Sequence, residues 1–196
     1  MTTPFPQRQT LRKEIRQRRN ALSPREQQLA ARRVHERLFE HPRVRAAKRI
    51  SLFLSFDGEI NTRPLIDTLW QQEKEVYLPV LHPFSKGHLL FLRYEKDSVM
   101  THHPFGILEP RLDVRRVLPV SQLDVIVTPM VAFDAQGNRL GMGGGYYDRT
   151  LRNWRQDGSY PIGIAHDCQQ VEELTHESWD VPLPEILTPS RHWRWL

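Results

Sequence analysis

The chain predicts an α/β fold: a mostly parallel sheet with helices on both faces, in three layers. Two patterns carry this. Short apolar runs bounded by turn residues alternate with helical stretches along most of the sequence, which is the signature of strands joined by crossover helices. One of those runs also ends in a glycine-rich turn from which a helix starts, the arrangement found where such sheets bind ligands beyond their strand carboxyl ends. At 196 residues the chain suits one domain with a substantial core, and a single domain over residues 1–196 is expected.

The elements follow in order. Leu11, Ile15 and Leu22 can share one face of a first helix, with Arg12, Lys13, Arg16, Arg18 and Arg19 around the rest. Ser23-Pro24-Arg25-Glu26 supplies an N-cap, a first-turn proline and a glutamate three residues on. This predicts a second helix over about residues 24–39 that buries Leu29, Val34 and Leu38. Residues 50–55 read as a strand, followed by a turn over 56–61 and a helix capped by Thr62 that runs to Trp70. Residues 76–81 and 89–94 are further strands, and 102–110 reads as an ordered loop. A buried strand over 124–133 leads to the glycine turn, a helix over about 146–156 and a strand over 160–166. The tail Arg191-His-Trp-Arg-Trp-Leu196 reads as a terminal strand packing Trp193 and Trp195 onto the body. Cations interleaved with aromatics can also stack on nucleic-acid bases.

Composition excludes some classes. Hydrophobic residues make up 39% and charged residues 26%, ordinary for a globular protein, and no run approaches the roughly 20 apolar residues of a membrane span. Residues 1–8 contain no apolar export core, and the one cysteine, Cys168, forms no internal disulfide. A cytoplasmic location, without membrane partners, is expected. Charge is uneven: residues 1–50 carry 14 Lys/Arg against 4 Asp/Glu, and the remainder 14 against 19. A basic helical segment over about residues 8–40 is either a solvated face or a binding surface for something anionic.

Five of the ten glycines lie within residues 137–145. Glycine lets backbone amides approach a phosphate closely, and the following helix start adds free N–H groups. The run fits neither the P-loop pattern nor the dinucleotide fingerprint. Its flanks are chemical rather than connective: Arg139 before it, Tyr146 and Tyr147 inside, Asp148 and Arg149 after. Guanidinium groups bind phosphate oxygens bidentately, and a carboxylate suits a hard cation. From the residues alone, Asp148 also reads as a helix N-terminal aspartate complementing the dipole, Arg149 as a surface ion-pair partner and Glu59 as a turn residue. His102, His103, His166 and His176 lack zinc-site spacing and read as loop or surface residues.

The stretch Asn138-Arg-Leu-Gly-Met-Gly-Gly-Gly-Tyr-Tyr-Asp-Arg149 resembles the signature of the 5-formyltetrahydrofolate cyclo-ligases, also called methenyltetrahydrofolate synthetases. Leu11-Arg12, Phe53-Leu54-Ser55 leading to Glu59-Ile60-Asn61-Thr62, Phe105-Gly-Ile-Leu-Glu-Pro110 and Glu177-Ser-Trp-Asp180-Val-Pro fall in the family's order, so the resemblance spans nearly the whole chain. Where the family admits other residues in the middle of the glycine run, this chain has Gly144, which removes one possible phosphate contact.

The resemblance implies an ATP-dependent ring closure that turns 5-formyltetrahydrofolate into 5,10-methenyltetrahydrofolate with release of ADP and phosphate. ATP is the co-substrate, Mg²⁺ the cofactor and a reduced folate the partner; a monomer is expected. It further implies that Arg8, Arg12, Arg139, Leu140, Gly141, Met142, Gly143, Gly144, Gly145, Tyr146 and Tyr147 line the ATP site. Leu54, Glu59 and the run from Met142 to Tyr146 would face the folate, with the Glu59 carboxylate on the N–H groups of the pterin. Asp148 and Asp180 would hold the metal, and Arg139, Tyr146 and Asp148 are the candidate catalytic residues. The other arginines of the N-terminal helix are expected to be solvated. The alternative reading is a nucleic-acid-binding protein that uses the basic helix and the Trp/Arg tail. It predicts salt-sensitive binding and leaves the glycine run without a role.

Overall fold

The computed structural model describes residues 5–102 and 106–195. His103 and Phe105, singled out above, and the first four residues of the N-terminal segment lie outside the described residues. The elements are α1 (Phe5–Asn20), α2 (Pro24–Glu40), α3 (Pro42–Ala46), β1 (Arg49–Ser51), α4 (Arg63–Gln71), β2 (Glu75–Leu81), β3 (Leu89–Arg93), β4 (Met100–His102), β5 (Leu108–Pro110), β6 (Val117–Leu118), β7 (Val125–Thr128), β8 (Ala132–Phe133), β9 (Arg139–Leu140), α5 (Tyr146–Leu151), α6 (Trp154–Asp157), β10 (Tyr160–Ile164), β11 (Glu185–Leu187) and β12 (His192–Arg194).

Eight strands form the main sheet in the order β12-β11-β10-β7-β1-β2-β3-β6. The five from β11 to β2 are parallel, while β12, β3 and β6 pair antiparallel at the edges. From β1 the chain goes outward to β2, then returns to the other side of β1 and continues through β7, β10 and β11. The direction of winding therefore reverses between β1 and β7. At such a switch point the strand carboxyl ends diverge and leave a crevice for a ligand.

Strand alternation separates two cores. Val76, Leu78, Val125, Val127, Ile162 and Leu187 pack against α2, α3 and α4 through Val34, Leu38, Val44, Leu65 and Leu69. Tyr77, Ile126 and Ile186 point to the other face, where Leu151 of α5 and Trp154 of α6 cover them. The three-layer α/β expectation is met. The capping box at Ser23 forms as the sequence predicts, with Glu26 N donating to Ser23 Oγ at 3.2 Å and Ser23 N to Glu26 Oε2 at 2.7 Å. Trp193 meets Phe133 edge-on at 5.7 Å, and Trp195 Nε1 donates to Ala135 O at 2.7 Å, so the aromatic tail is packed onto the body.

Several expectations are corrected. Leu29 is 45% exposed and Ala30 and Ala31 are buried in its place, because residues 30, 34 and 38 form the inward stripe of α2 and Leu29 is rotated about 100° away from it. The strand over 124–133 is two pieces: Pro129 has no amide to continue the ladder, so β7 stops at Thr128 and a separate hairpin, β8 with β9, follows. The helix over 146–156 is likewise split, with Asn153 between α5 and α6. Residues 102–110 contribute to a hairpin, β4 with β5, rather than a loop. Thr62 does not cap α4 with its side chain; its hydroxyl donates to Phe53 O at 2.5 Å, and Asn61 Oδ1 accepts from Arg63 N at 3.0 Å.

Candidate functional site

A cavity of about 730 Å³ opens at the carboxyl ends of β1, β2 and β7. Its base comes from the β8–β9 hairpin, which is tied by Asp134: Oδ1 accepts from Gln136 N and Asn138 N, each at 3.0 Å. This closed turn delivers Arg139 beneath the glycine run with its side chain 2% exposed. Arg139 Nη2 donates to Asp148 Oδ1 at 2.5 Å, while its Nε is buried without a hydrogen-bond partner among the described residues. Asp148 Oδ1 also accepts from Val181 N at 3.1 Å, which brings the segment carrying Asp180 alongside.

Gly145 caps α5 at φ +66°, a conformation that favours glycine. At Gly144 a Cβ would come within 2.5 Å of the Tyr146 ring, so only glycine lets the ring fold back over the turn. α5 has six residues, too few for a large dipole, so the side-chain cations supply most of the positive field here. Arg149 is not among them. Its Nη1 donates to Gly144 O at 2.7 Å and Gly87 O at 3.1 Å, fastening the glycine turn to the β2–β3 connection.

The opposite wall is α1. Arg8, Arg12 and Arg16 recur every four residues and all face the cavity, while Arg19, one turn further on, is fully buried. The expectation that the other arginines of α1 are solvated is overturned for Arg19, which turns inward because the carbonyls and carboxylate that satisfy it lie there; Arg16 stays half exposed and Arg18 exposed. Arg12 Nε donates to Gly141 O at 2.8 Å, and burial together with the charge of Arg8 lowers its pKa. Arg8 Nη2 donates to Asp180 Oδ2 at 2.5 Å and to Thr175 O at 3.3 Å. Trp179, 55% exposed at the cavity mouth, went unweighted in the sequence because a single tryptophan in a loop carries no periodic signal.

Glu59 and Leu54 lie on the third wall, in the segment leaving β1. The Glu59 backbone amide donates to Phe56 O at 3.1 Å, closing a turn, and its Oε2 accepts from Phe56 N at 3.2 Å. Burial pushes the Glu59 carboxyl up to about 7, against the pull of Arg19. The Tyr147 hydroxyl is buried without a hydrogen-bond partner among the described residues, and burial plus the neighbouring Glu59 charge raise its pKa, so it stays a neutral phenol. His166, expected as a surface or loop residue, is 2% exposed and donates from Nε2 to Gly58 O at 3.0 Å, on the far side of the Glu59 turn.

The donor set fits a magnesium ion. Asp148 and Asp180 make their hydrogen bonds through one oxygen each, Oδ1 and Oδ2 respectively, and both side chains line the cavity. Two carboxylates with no nitrogen or sulfur ligand are what Mg²⁺ takes when phosphates and water complete its shell. The His/Cys/Asp/Glu group close enough to hold a metal among the described residues is elsewhere: His41, Glu185 and His192. There the His41 Nδ1 accepts from Arg43 N at 3.2 Å, leaving the proton on Nε2, which donates to Glu185 Oε2 at 2.8 Å. That cluster is a satisfied carboxylate at the sheet edge.

Every site residue expected from the sequence lines the one cavity: Arg8, Arg12, Leu54, Glu59, the run from Arg139 to Asp148, and Asp180. Fold and site together define a doubly wound α/β enzyme with a cationic, glycine-walled cavity at the switch point of its sheet. Residues 5–189 match the profile of the 5-formyltetrahydrofolate cyclo-ligase family, and the chain belongs to that family. It is 56% identical over 181 residues to the 5-formyltetrahydrofolate cyclo-ligase of Escherichia coli K12, covering 92% of this chain and 100% of that one. Against the Haemophilus influenzae cyclo-ligase identity is 54% over 180 residues, covering 92% and 96%. The solved 5,10-methenyltetrahydrofolate synthetase of Aquifex aeolicus superposes with a TM-score of 0.80 at 29% identity, covering 95% of this chain and 92% of that one. The Mycoplasma pneumoniae synthetase gives 0.74 at 25%, covering 93% and 98%.

Proposed function

We propose that this enzyme converts 5-formyltetrahydrofolate to 5,10-methenyltetrahydrofolate at the expense of ATP. The observation that carries the reading is a single cavity lined both by phosphate-binding groups, namely Arg8, Arg12, Arg139 and the glycine run, and by the Glu59 carboxylate. A triphosphate and a pterin held by these two sets of groups would share the one cavity. The formyl oxygen attacks the terminal phosphorus and ADP leaves. The neighbouring folate nitrogen then attacks the activated formyl carbon and loses its proton, and the C–O bond breaks to release phosphate. No covalent enzyme intermediate is needed; the protein supplies alignment and charge neutralisation.

In this reading Arg8, Arg12 and Arg139 hold phosphate oxygens, and Glu59 accepts from the pterin N–H groups while Leu54 packs on the ring. Asp148 and Asp180 would hold Mg²⁺, which neutralises charge on the phosphate oxygens when bound. Tyr146 packs against the folate, and Tyr147 keeps water from the reacting atoms. In the same reading the enzyme acts as a cytoplasmic monomer without nucleic-acid or membrane partners. The test is absorbance in the methenyl-folate band after mixing the protein with 5-formyltetrahydrofolate, Mg²⁺ and ATP. A rise that needs both ATP and Mg²⁺ supports the proposal; no rise with folded protein refutes it.

A further inference from the structure

Arg19 is a fully buried cation on α1, and nothing in the proposed chemistry uses it. Its fork is spread over two strand ends. Nε donates to Asp57 O at 2.7 Å, Nη2 to Asp57 Oδ2 at 3.1 Å and Nη1 to Met130 O at 3.2 Å. Asp57 follows β1 and Met130 follows β7, so one guanidinium spans the switch point from beneath.

The turn it grips is held in an unfavourable conformation. Asp57 has φ +50° and Gly58 φ +76°, two successive left-handed residues at the centre of the turn from Phe56 to Glu59. A non-glycine residue there costs on the order of 1 kcal/mol and persists only where its surroundings fix it. Those surroundings are α1 and its neighbours. Arg16 and Asn20 also hold the Asp57 carboxylate, and Gln27 Nε2 and His166 Nε2 both donate to Gly58 O, at 3.2 and 3.0 Å. At Gly58 a Cβ would come within 2.7 Å of Asn20 Oδ1, so the fit is close. The residue that emerges from this turn is Glu59, which lines the cavity. The charged and titratable groups around it are Arg19 from α1, Asp57 from the turn itself, Tyr147 from α5 and His166 after β10.

We propose that Arg19 is a positioning residue: by clamping the Asp57–Gly58 turn to the end of β7 it aims the Glu59 carboxylate at the folate ring. This rests on the reading of Glu59 as the pterin acceptor. The same helix carries Arg8 and Arg12 at its other end, so α1 braces both substrate subsites, and two of the three Arg19 hydrogen bonds go to the turn that leads into Glu59.

The experiment is a double-mutant cycle with R19K and E59Q, read by calorimetric binding of 5-formyltetrahydrofolate and, separately, of ATP. Lysine keeps the charge but cannot make the three-way fork. R19K should weaken folate binding about tenfold, the worth of one charge-assisted hydrogen bond, and leave ATP binding within about twofold. In the E59Q background the R19K effect should disappear, because both act through one carboxylate. Unchanged folate affinity in folded R19K, or an equal loss in the E59Q background, overturns the positioning role. If E59Q alone leaves folate affinity unchanged, the pterin reading of Glu59 falls, and this role with it. Should R19K fail to fold, D57N loosens the same clamp while keeping the turn, and a folate-selective loss of about threefold is expected; equal losses for both substrates overturn the proposal.

Discussion

Folate affinity should rise with pH through neutrality, and Glu59 sets the midpoint. Its carboxyl stands at about 7 in the empty protein because burial outweighs the attraction of Arg19. A pterin offering N–H donors needs the ionised form, so binding lowers this pKa and releases a proton. With a free-enzyme value near 7 and a much lower one in the complex, affinity at pH 6 should be about tenfold below that at pH 8, close to 1.4 kcal/mol, and about one proton should be released at pH 6. Calorimetric titrations with 5-formyltetrahydrofolate in buffers of differing ionisation enthalpy measure both quantities. E59Q should bind more weakly and flatten the profile. A flat wild-type profile between pH 6 and pH 8 would refute the assignment. The unliganded fold should show the mirror image. A carboxyl raised from 4.5 contributes stability that is complete below 4.5 and is lost as pH rises through about 7. The ceiling is roughly 3 kcal/mol, reduced by water in the open cavity.

Three further outcomes are expected. D148N should lower turnover at saturating substrates about a hundredfold but cost only about 1–3 kcal/mol in urea unfolding, because asparagine keeps an oxygen for Arg139 and Val181 N; wild-type turnover at high Mg²⁺ would remove Asp148 from the metal site. R12A should weaken ATP binding about tenfold and folate binding little, since its guanidinium lies beside Gly141 and Gly143; equal losses would detach Arg12 from the nucleotide end. At Glu185, burial is outweighed by hydrogen bonds from Tyr160, His41 and His192, which hold the carboxyl at about 2. Its stabilising effect is complete above 4.5 and fades as pH falls toward 2, so wild type should lose about 1.4 kcal/mol by pH 3.5 that E185Q does not lose, measured by urea unfolding at pH 7 and 3.5.

The central strands and both helical layers were legible because they rest on local signals: apolar runs, a capping box, a glycine turn. The breaks were harder. Pro129 inside an apolar run marks where β7 must end, yet hydrophobicity continues through Phe133 because the β8–β9 hairpin is buried as well. Leu29 and Ala30 differ in size but not in pattern, and only the register of α2 against the sheet decides which faces inward. Strand β11 is three residues long, too short for a period to show, whereas the aromatic tail that forms β12 announced itself through Trp193 and Trp195.

The site was legible to a different degree at its two ends. The glycine run and its flanking Arg139 and Asp148 are contiguous in sequence, so their chemistry can be read directly. Glu59 is 80 residues from Arg139, and only the switch point between β1 and β7 brings the two into one cavity. The basic helix is the clearest instance of what sequence conceals. An excess of arginine looks the same whether the residues meet solvent, nucleic acid or the protein's own interior. Here Arg8, Arg12 and Arg19 find carboxylates and carbonyls on a single inward stripe, with half-exposed Arg16 at its margin. A buried guanidinium without such partners would cost several kcal/mol, so the stripe could exist only once the strand ends supplied them. The charge asymmetry of the first fifty residues is thus in part an internal feature of the fold: it builds one wall of the cavity and braces the turn that holds Glu59.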